Sequence, residues 1–198
     1  MILSLIYKYH PSELKFLMPD STNITSAVKK TKSEQDIIPA LLKVISEAKS
    51  MVVLTCFSSN IERLNNIAAT GKQLKRSVYV SGRSLQSYIK TAVKLGYLNQ
   101  DDFKFSTDSN LSKAIVIASG CQCDFNSSFR RIANFDNPHV KPKEGDTFIF
   151  SSKTIPGNEK QVSATINHLI ENKINVVLAE DHEIHVSGHA GIEDLNMM

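Results

Sequence analysis

The chain has 198 residues, 41% of them hydrophobic and 22% charged, which suits one large soluble domain or one and a fraction. Its 23 Lys+Arg against 20 Asp+Glu leave a net charge of +3, which admits a polyanionic partner without demanding one. Cys56, Cys121 and Cys123 make no disulfide framework and point to a reducing, cytoplasmic setting; a Cys-x-Cys lacking a second pair at zinc-finger spacing predicts buried thiols rather than a metal site.

The opening run Met1-Ile2-Leu3-Ser4-Leu5-Ile6-Tyr7 is too short to span a membrane and lacks the basic flank and cleavage site of a signal peptide. It predicts a strand, as does 14–18. Ile38, Leu41, Leu42, Ile45 and Ala48 then recur at helical spacing, with Ser33 as the N-cap, or Asp36 if Pro39 is to fit easily. From there short apolar runs alternate with amphipathic ones. Strand 51–55 precedes a helix bearing Ile61, Leu64, Ile67 and Ala68, and strand 77–80 precedes one bearing Leu85, Ile89, Ala92 and Val93, ending near Gly96. Strand 114–118 leads to a short helix over about 126–134. Strand 147–150 leads to a helix with Val162, Ile166, Leu169 and Ile170 inward. Residues 174–178 close the series, with a short strand added over 183–186. Segment 137–144 is a Pro- and Lys-rich loop. No run reaches the length of a membrane helix. Because the strands are solidly apolar rather than alternating, the class is α/β, with a largely parallel sheet and helices on both faces.

Ligands of such sheets gather beyond the carboxyl ends of the strands. Those ends here share a chemistry: Cys56-Phe57-Ser58-Ser59-Asn60, Ser81-Gly82-Arg83-Ser84, Ser119-Gly120-Cys121-Gln122 and Ser151-Ser152-Lys153-Thr154. Each loop alone reads as turn and cap chemistry. Four on one edge, with Arg83 and Lys153, predict a surface for phosphate or nucleic acid. Near the C-terminus, His182, His185 and His189 read either as a metal or acid–base group or as surface histidines. No H-x-H-x-D-H or H-E-x-x-H pattern occurs, so no set of metal ligands is expected.

Several blocks, in order, resemble the ribonuclease J family: Asp20-Ser21-Thr22-Asn23, Ser33-Glu34, Phe57-Ser58-Ser59-Asn60-Ile61-Glu62-Arg63, Gly82-Arg83-Ser84, Gly96-Tyr97-Leu98, Arg131-Ile132-Ala133, Gly145-Asp146-Thr147, Phe150-Ser151-Ser152, Ile155-Pro156-Gly157-Asn158-Glu159 and His185-Val186-Ser187-Gly188-His189-Ala190. The resemblance covers about residues 15–195. It implies a Rossmann-like β-CASP domain inserted into a metallo-β-lactamase domain, RNA between the two, and a pair of zinc ions that activates water. On that resemblance Glu34 and His189 are the catalytic pair, His189 donating the proton to the leaving oxygen and Glu34 orienting it. It also implies RNA binding by Phe57, Ser58, Ser59, Asn60, Arg83, Ser84, Ser151 and Ser152, and a phosphate cradle over His185, Val186, Ser187 and Gly188.

The family's zinc ligands lie on segments without counterparts here, so this chain is expected to hold no metal and to be inactive alone. The loop Gly120-Cys121-Gln122-Cys123-Asp124-Phe125 also departs from the family's usual G-S-Q-G-E-P. The expected organisation is a metallo-β-lactamase remnant over 1–32, the β-CASP domain over 33–180 and the start of the returning segment over 181–198. RNA is the expected partner. Three readings stay open: a nuclease by ancestry, one half of a split nuclease completed by a separate chain, or a non-catalytic RNA-binding or subunit-interaction module. Apolar surface over 1–18 would favour self-association, including a homo-oligomer.

Overall fold

A computed structural model describes residues 16, 18–25, 29–105 and 110–197. They fall into two compact units, Glu34–His185 and Met1–Ser33 with Val186–Met198.

The larger unit is built on five four-residue strands: β1 (Val52–Thr55), β2 (Val78–Ser81), β3 (Ile115–Ala118), β4 (Thr147–Phe150) and β5 (Asn175–Leu178). All neighbours pair in parallel, in the order β2-β3-β1-β4-β5. β1, β3 and β4 are buried at every position, the physical origin of their unbroken apolar runs. β5 is the edge, with Asn175 exposed and the other three residues half-buried.

Five helices cover the sheet: α1 (Ile38–Glu47), α2 (Ile61–Gln73), α3 (Arg83–Lys94), α4 (Ser128–Ala133) and α5 (Glu159–Glu171). Strand alternation sorts the core into two layers. Val52 and Leu54 pack with Leu41 and Ile45 of α1, Leu64 and Ile67 of α2, and Leu85 and Ile89 of α3. Val53, Phe148 and Phe150 pack with Phe129 and Ile132 of α4 and Val162 and Leu169 of α5. There the Phe129 ring stands edge-on to Phe148 and Phe150, at 5.5 and 4.9 Å.

Handedness explains which helix lies where. The step from β1 to β2 runs toward one edge, whereas β3 to β4 to β5 runs toward the other. Right-handed crossovers therefore put α2 on the opposite face from α4 and α5. Lys104 makes a parallel bridge to Tyr79 beside β2, so the α3 crossover also steps toward that edge and α3 stays with α2.

Three local expectations are corrected. The N-cap of α1 is Ile37, with no side-chain cap, rather than Ser33 or Asp36. Residues 34–37 form a turn that buries Ile37 to 1% exposure, and Pro39 sits in the first helical turn, where its missing N–H is not needed. Ile170 is 57% exposed rather than inward, because Val162, Thr165 and Leu169 already occupy the inner face of α5. No strand forms over 183–186. Ile184 is fully buried in the core, and its carbonyl accepts from the Arg63 and Ser151 side chains instead of a neighbouring strand.

In the smaller unit, α6 (Ile192–Asn196) is tied to the N-terminal segment by polar contacts. Asp194 Oδ2 accepts from the Thr31 and Gly191 N–H groups at 2.9 and 3.0 Å, and the Glu193 N–H donates to the Lys29 carbonyl. The strand expected over 1–7 lies outside the described residues, as does most of that over 14–18. Phe16 and Met18 belong to no regular element and are exposed. No described helix is long and apolar enough to cross a membrane.

Candidate functional site

Beyond the carboxyl ends of β1, β2 and β3 lies a cavity of about 950 Å³. The chain leaves β1 and β2 toward one face of the sheet and β3 toward the other, so a crevice opens between the departing loops. Phe57 and Ser58 line it after β1, Arg83 and Ser84 after β2, and Gln122, Asp124 and Phe125 after β3, with Arg131 and His139 farther along the chain. Two glycines let the loops come this close. Gly82 has φ +116, and a Cβ there would lie 2.1 Å from Ser119 Oγ; Gly120 has φ +106, and a Cβ would lie 2.2 Å from Ser127 Cβ. Ser81 and Ser128 share a hydroxyl hydrogen bond of 2.6 Å between them. The first turn of α3 begins at Arg83 with no side-chain cap, so its N–H groups and the arginine favour an anion at the same wall.

Four of the predicted binding residues thus share one cavity: Phe57, Ser58, Arg83 and Ser84. Ser59, Asn60, Ser151, Ser152 and Lys153 are not among its lining residues. Asn60 caps α2, accepting from the Arg63 N–H at 3.0 Å, and donates to Glu34 Oε1 at 2.8 Å. Ser151 is fully buried, and Ser152 is 7% exposed.

Glu34 and Ser151 belong to a buried polar network around Arg63, which is 1% exposed. Its Nε and Nη2 donate to the two Glu34 carboxylate oxygens at 2.5 and 2.8 Å, a bidentate pair. Its Nη1 donates to the Ser151 hydroxyl at 2.7 Å and to the carbonyls of Ser151 and Ile184 at 2.9 and 3.3 Å. The Glu34 carbonyl accepts from the Asn66 amide at 2.8 Å. Arg63 falls within one of the motif blocks, where the sequence alone gives it no role. The available signal was an arginine three residues after a cap asparagine, on the face carrying Leu64 and Ile67.

His185 is half-buried, and its Nδ1 is buried without a hydrogen-bond partner among the described residues. Burial first, and then the Arg63 charge, push its pKa down to about 4, with the Glu34 carboxylate opposing. The ring lies 6.5 Å from that of Phe57.

The remaining predicted residues belong to the smaller unit. His189 Nδ1 meets the Asp20 carboxylate, and both side chains are about half exposed. Hydrogen bonds from the Thr22 hydroxyl and from His189 hold the Asp20 pKa down at about 2. Ser187 Oγ accepts from the Asn23 amide and the His189 N–H at 3.0 and 3.2 Å. Val186 is half-buried and Gly188 exposed. Glu34 and His189 therefore fall in different units, and each has its ionic partner within its own.

Among the described residues no three His, Cys, Asp or Glu side chains converge as metal ligands. All three cysteines are buried, and burial raises the Cys56 and Cys123 thiols to about 12 and 11. They are protonated core groups.

A family profile described as "Ribonuclease J, beta-CASP domain" matches residues 49–169, more than half of the chain. The chain belongs to the ribonuclease J β-CASP family. It is 34% identical over 201 residues to "Ribonuclease J" of Synechocystis sp., covering 99% of the chain and 31% of that protein. It is 34% identical over 195 residues to "Ribonuclease J" of Helicobacter pylori, covering 96% and 28%. It is 33% identical over 187 residues to "Ribonuclease J 1" of Streptococcus pyogenes, covering 92% and 33%. The chain thus spans about a third of the length of the curated relatives it matches. Within the β-CASP match lie all the residues lining the cavity, and Arg63.

Proposed function

We propose that this chain is the RNA-gripping part of a ribonuclease J-type nuclease, working in the cytoplasm on the phosphodiester backbone of single-stranded RNA. One observation carries the reading: a serine-walled crevice at the carboxyl ends of parallel strands, with two arginines and two phenylalanines on its lining. Cations that neutralise phosphates and rings that stack on bases are what a single strand requires. Residues 1–33 and 186–198 are assigned to the flanking metallo-β-lactamase part. There Asp20 stands where an orienting carboxylate for His189 is needed, which makes it the stronger candidate for that role than Glu34. Glu34 is assigned to positioning, because both of its carboxylate oxygens are taken by Arg63. A zinc pair would supply the attacking hydroxide in such a nuclease. No three described side chains converge as its ligands, and no hydrolytic step is assigned to them.

The test is binding of a labelled single-stranded RNA by the purified chain across a salt series. Two arginines neutralising two phosphates predict a log–log slope of about −1.4, at roughly 0.7 per phosphate on a single strand. Binding that ignores salt, or no binding, sinks the reading.

A further inference from the structure

The loop after β3 brings a second aromatic ring to the crevice. Phe125 is 81% exposed and lines the cavity together with Phe57. The Arg130 guanidinium lies over its ring, 5.6 Å from the centroid. Isolated exposed apolar residues are common and need no purpose. This one, however, follows a stretch anchored through Cys121, Gln122 and Cys123. Cys121 and Cys123 are buried. The Gln122 side chain donates to the Lys153 carbonyl at 3.0 Å and accepts from the Ile155 N–H at 2.8 Å, while Gln161 donates to the Gln122 carbonyl at 2.7 Å. The turn is closed by the Cys123 N–H to the Gly120 carbonyl and the Ser127 N–H to the Asp124 carbonyl, both at 2.9 Å. A ring on so fixed a backbone loses little further freedom when a ligand lands on it.

Charges around the ring distinguish base from backbone. Asp124 lines the same wall and repels phosphate. Arg83 has no ion-pair partner among the described residues, and Arg131 makes an exposed, weak pair with Asp136 at 3.6 Å and donates to the Asp136 carbonyl at 3.1 Å. We propose that Phe125, backed by Arg130, is a stacking platform for one nucleobase of a single-stranded RNA, with Arg83 and Arg131 taking the flanking phosphates. This rests on the RNA-binding reading above and adds a residue that the ordered motif blocks do not include.

The test uses the intact chain, a labelled RNA of roughly ten nucleotides and an abasic counterpart of the same length. Phe125→Ala is expected to weaken RNA binding about tenfold and to leave binding of the abasic strand unchanged. Phe125→Trp is expected to keep the affinity. Because the chain contains no tryptophan, the new indole is the sole emitter of its kind, and its fluorescence is expected to fall as RNA is added. Equal RNA affinities of Phe125→Ala and the parent chain, or an indole indifferent to RNA, overturn the platform while leaving RNA binding standing. A parent chain that binds neither strand overturns both readings. Should Phe125→Ala unfold, the indole response decides alone.

Discussion

His185 shows how a single ring records its surroundings. Its folded pKa of about 4 lies below the ordinary value near 6.5 because a charged imidazole would be poorly solvated and close to Arg63. The unfolded chain therefore takes up this proton first as pH falls. The group's contribution to stability is whole above about pH 6.5, declines from there toward pH 4, and then levels off. The melting midpoint of the parent chain is expected to drop further between pH 7 and 4.5 than that of His185→Gln. Equal drops would show that neutral burial of this ring is not coupled to folding. Asp20 has the opposite character: its lowered pKa reflects hydrogen bonds at an exposed position rather than burial.

At the scale of elements, the Glu34–Arg63 pair is a clamp. It joins the turn before α1 to α2, and through Ser151 and Ile184 it reaches the end of β4 and the segment after β5. With Arg63 at 1% exposure, removing its carboxylate leaves a buried cation uncompensated. Glu34→Ala is expected to cost about 3–5 kcal/mol in urea unfolding. The Glu144–Lys173 pair is the control: both side chains are about 70% exposed, and Glu144→Ala is expected to leave the midpoint within error. A small loss for Glu34→Ala would mean that water replaces the carboxylate and that the clamp is not structural. The clamp also explains why the cap of α1 is not legible in the sequence. Ser33 and Asp36 are good local candidates, but anchoring of Glu34 and burial of Ile37 set where the helix starts.

For the whole molecule the question is whether the β-CASP layer does more than hold a strand. The crevice is lined by cations, hydroxyls and rings, groups suited on the proposed reading to positioning a strand. The purified chain is expected to retain well under one zinc per molecule after dialysis and to leave RNA uncut. Stoichiometric zinc, or cleavage lost with chelator and with His189→Ala, would overturn that assignment. Cleavage restored only by mixing with a separate zinc-binding chain would identify the split arrangement.

Sequence alone determined the α/β class, five apolar strands and the sharing of the Phe57-Ser58 and Arg83-Ser84 loops by one edge, because those features follow from local periodicity and from turn chemistry at strand ends. Tertiary structure alone decided the strand order, the fate of Ile170 and of 183–186, and the division of the motif residues between those lining the crevice and those held in the Arg63 network. Ser151 and Asn60 look like Ser58 in sequence; what separates them is Arg63, whose backbone N–H donates to Asn60 and whose buried guanidinium gathers Glu34, Ser151 and Ile184, the last 121 residues away in sequence. No local pattern encodes so distant a set of partners. They are fixed only when the sheet brings the strand ends together and the buried charge must be satisfied.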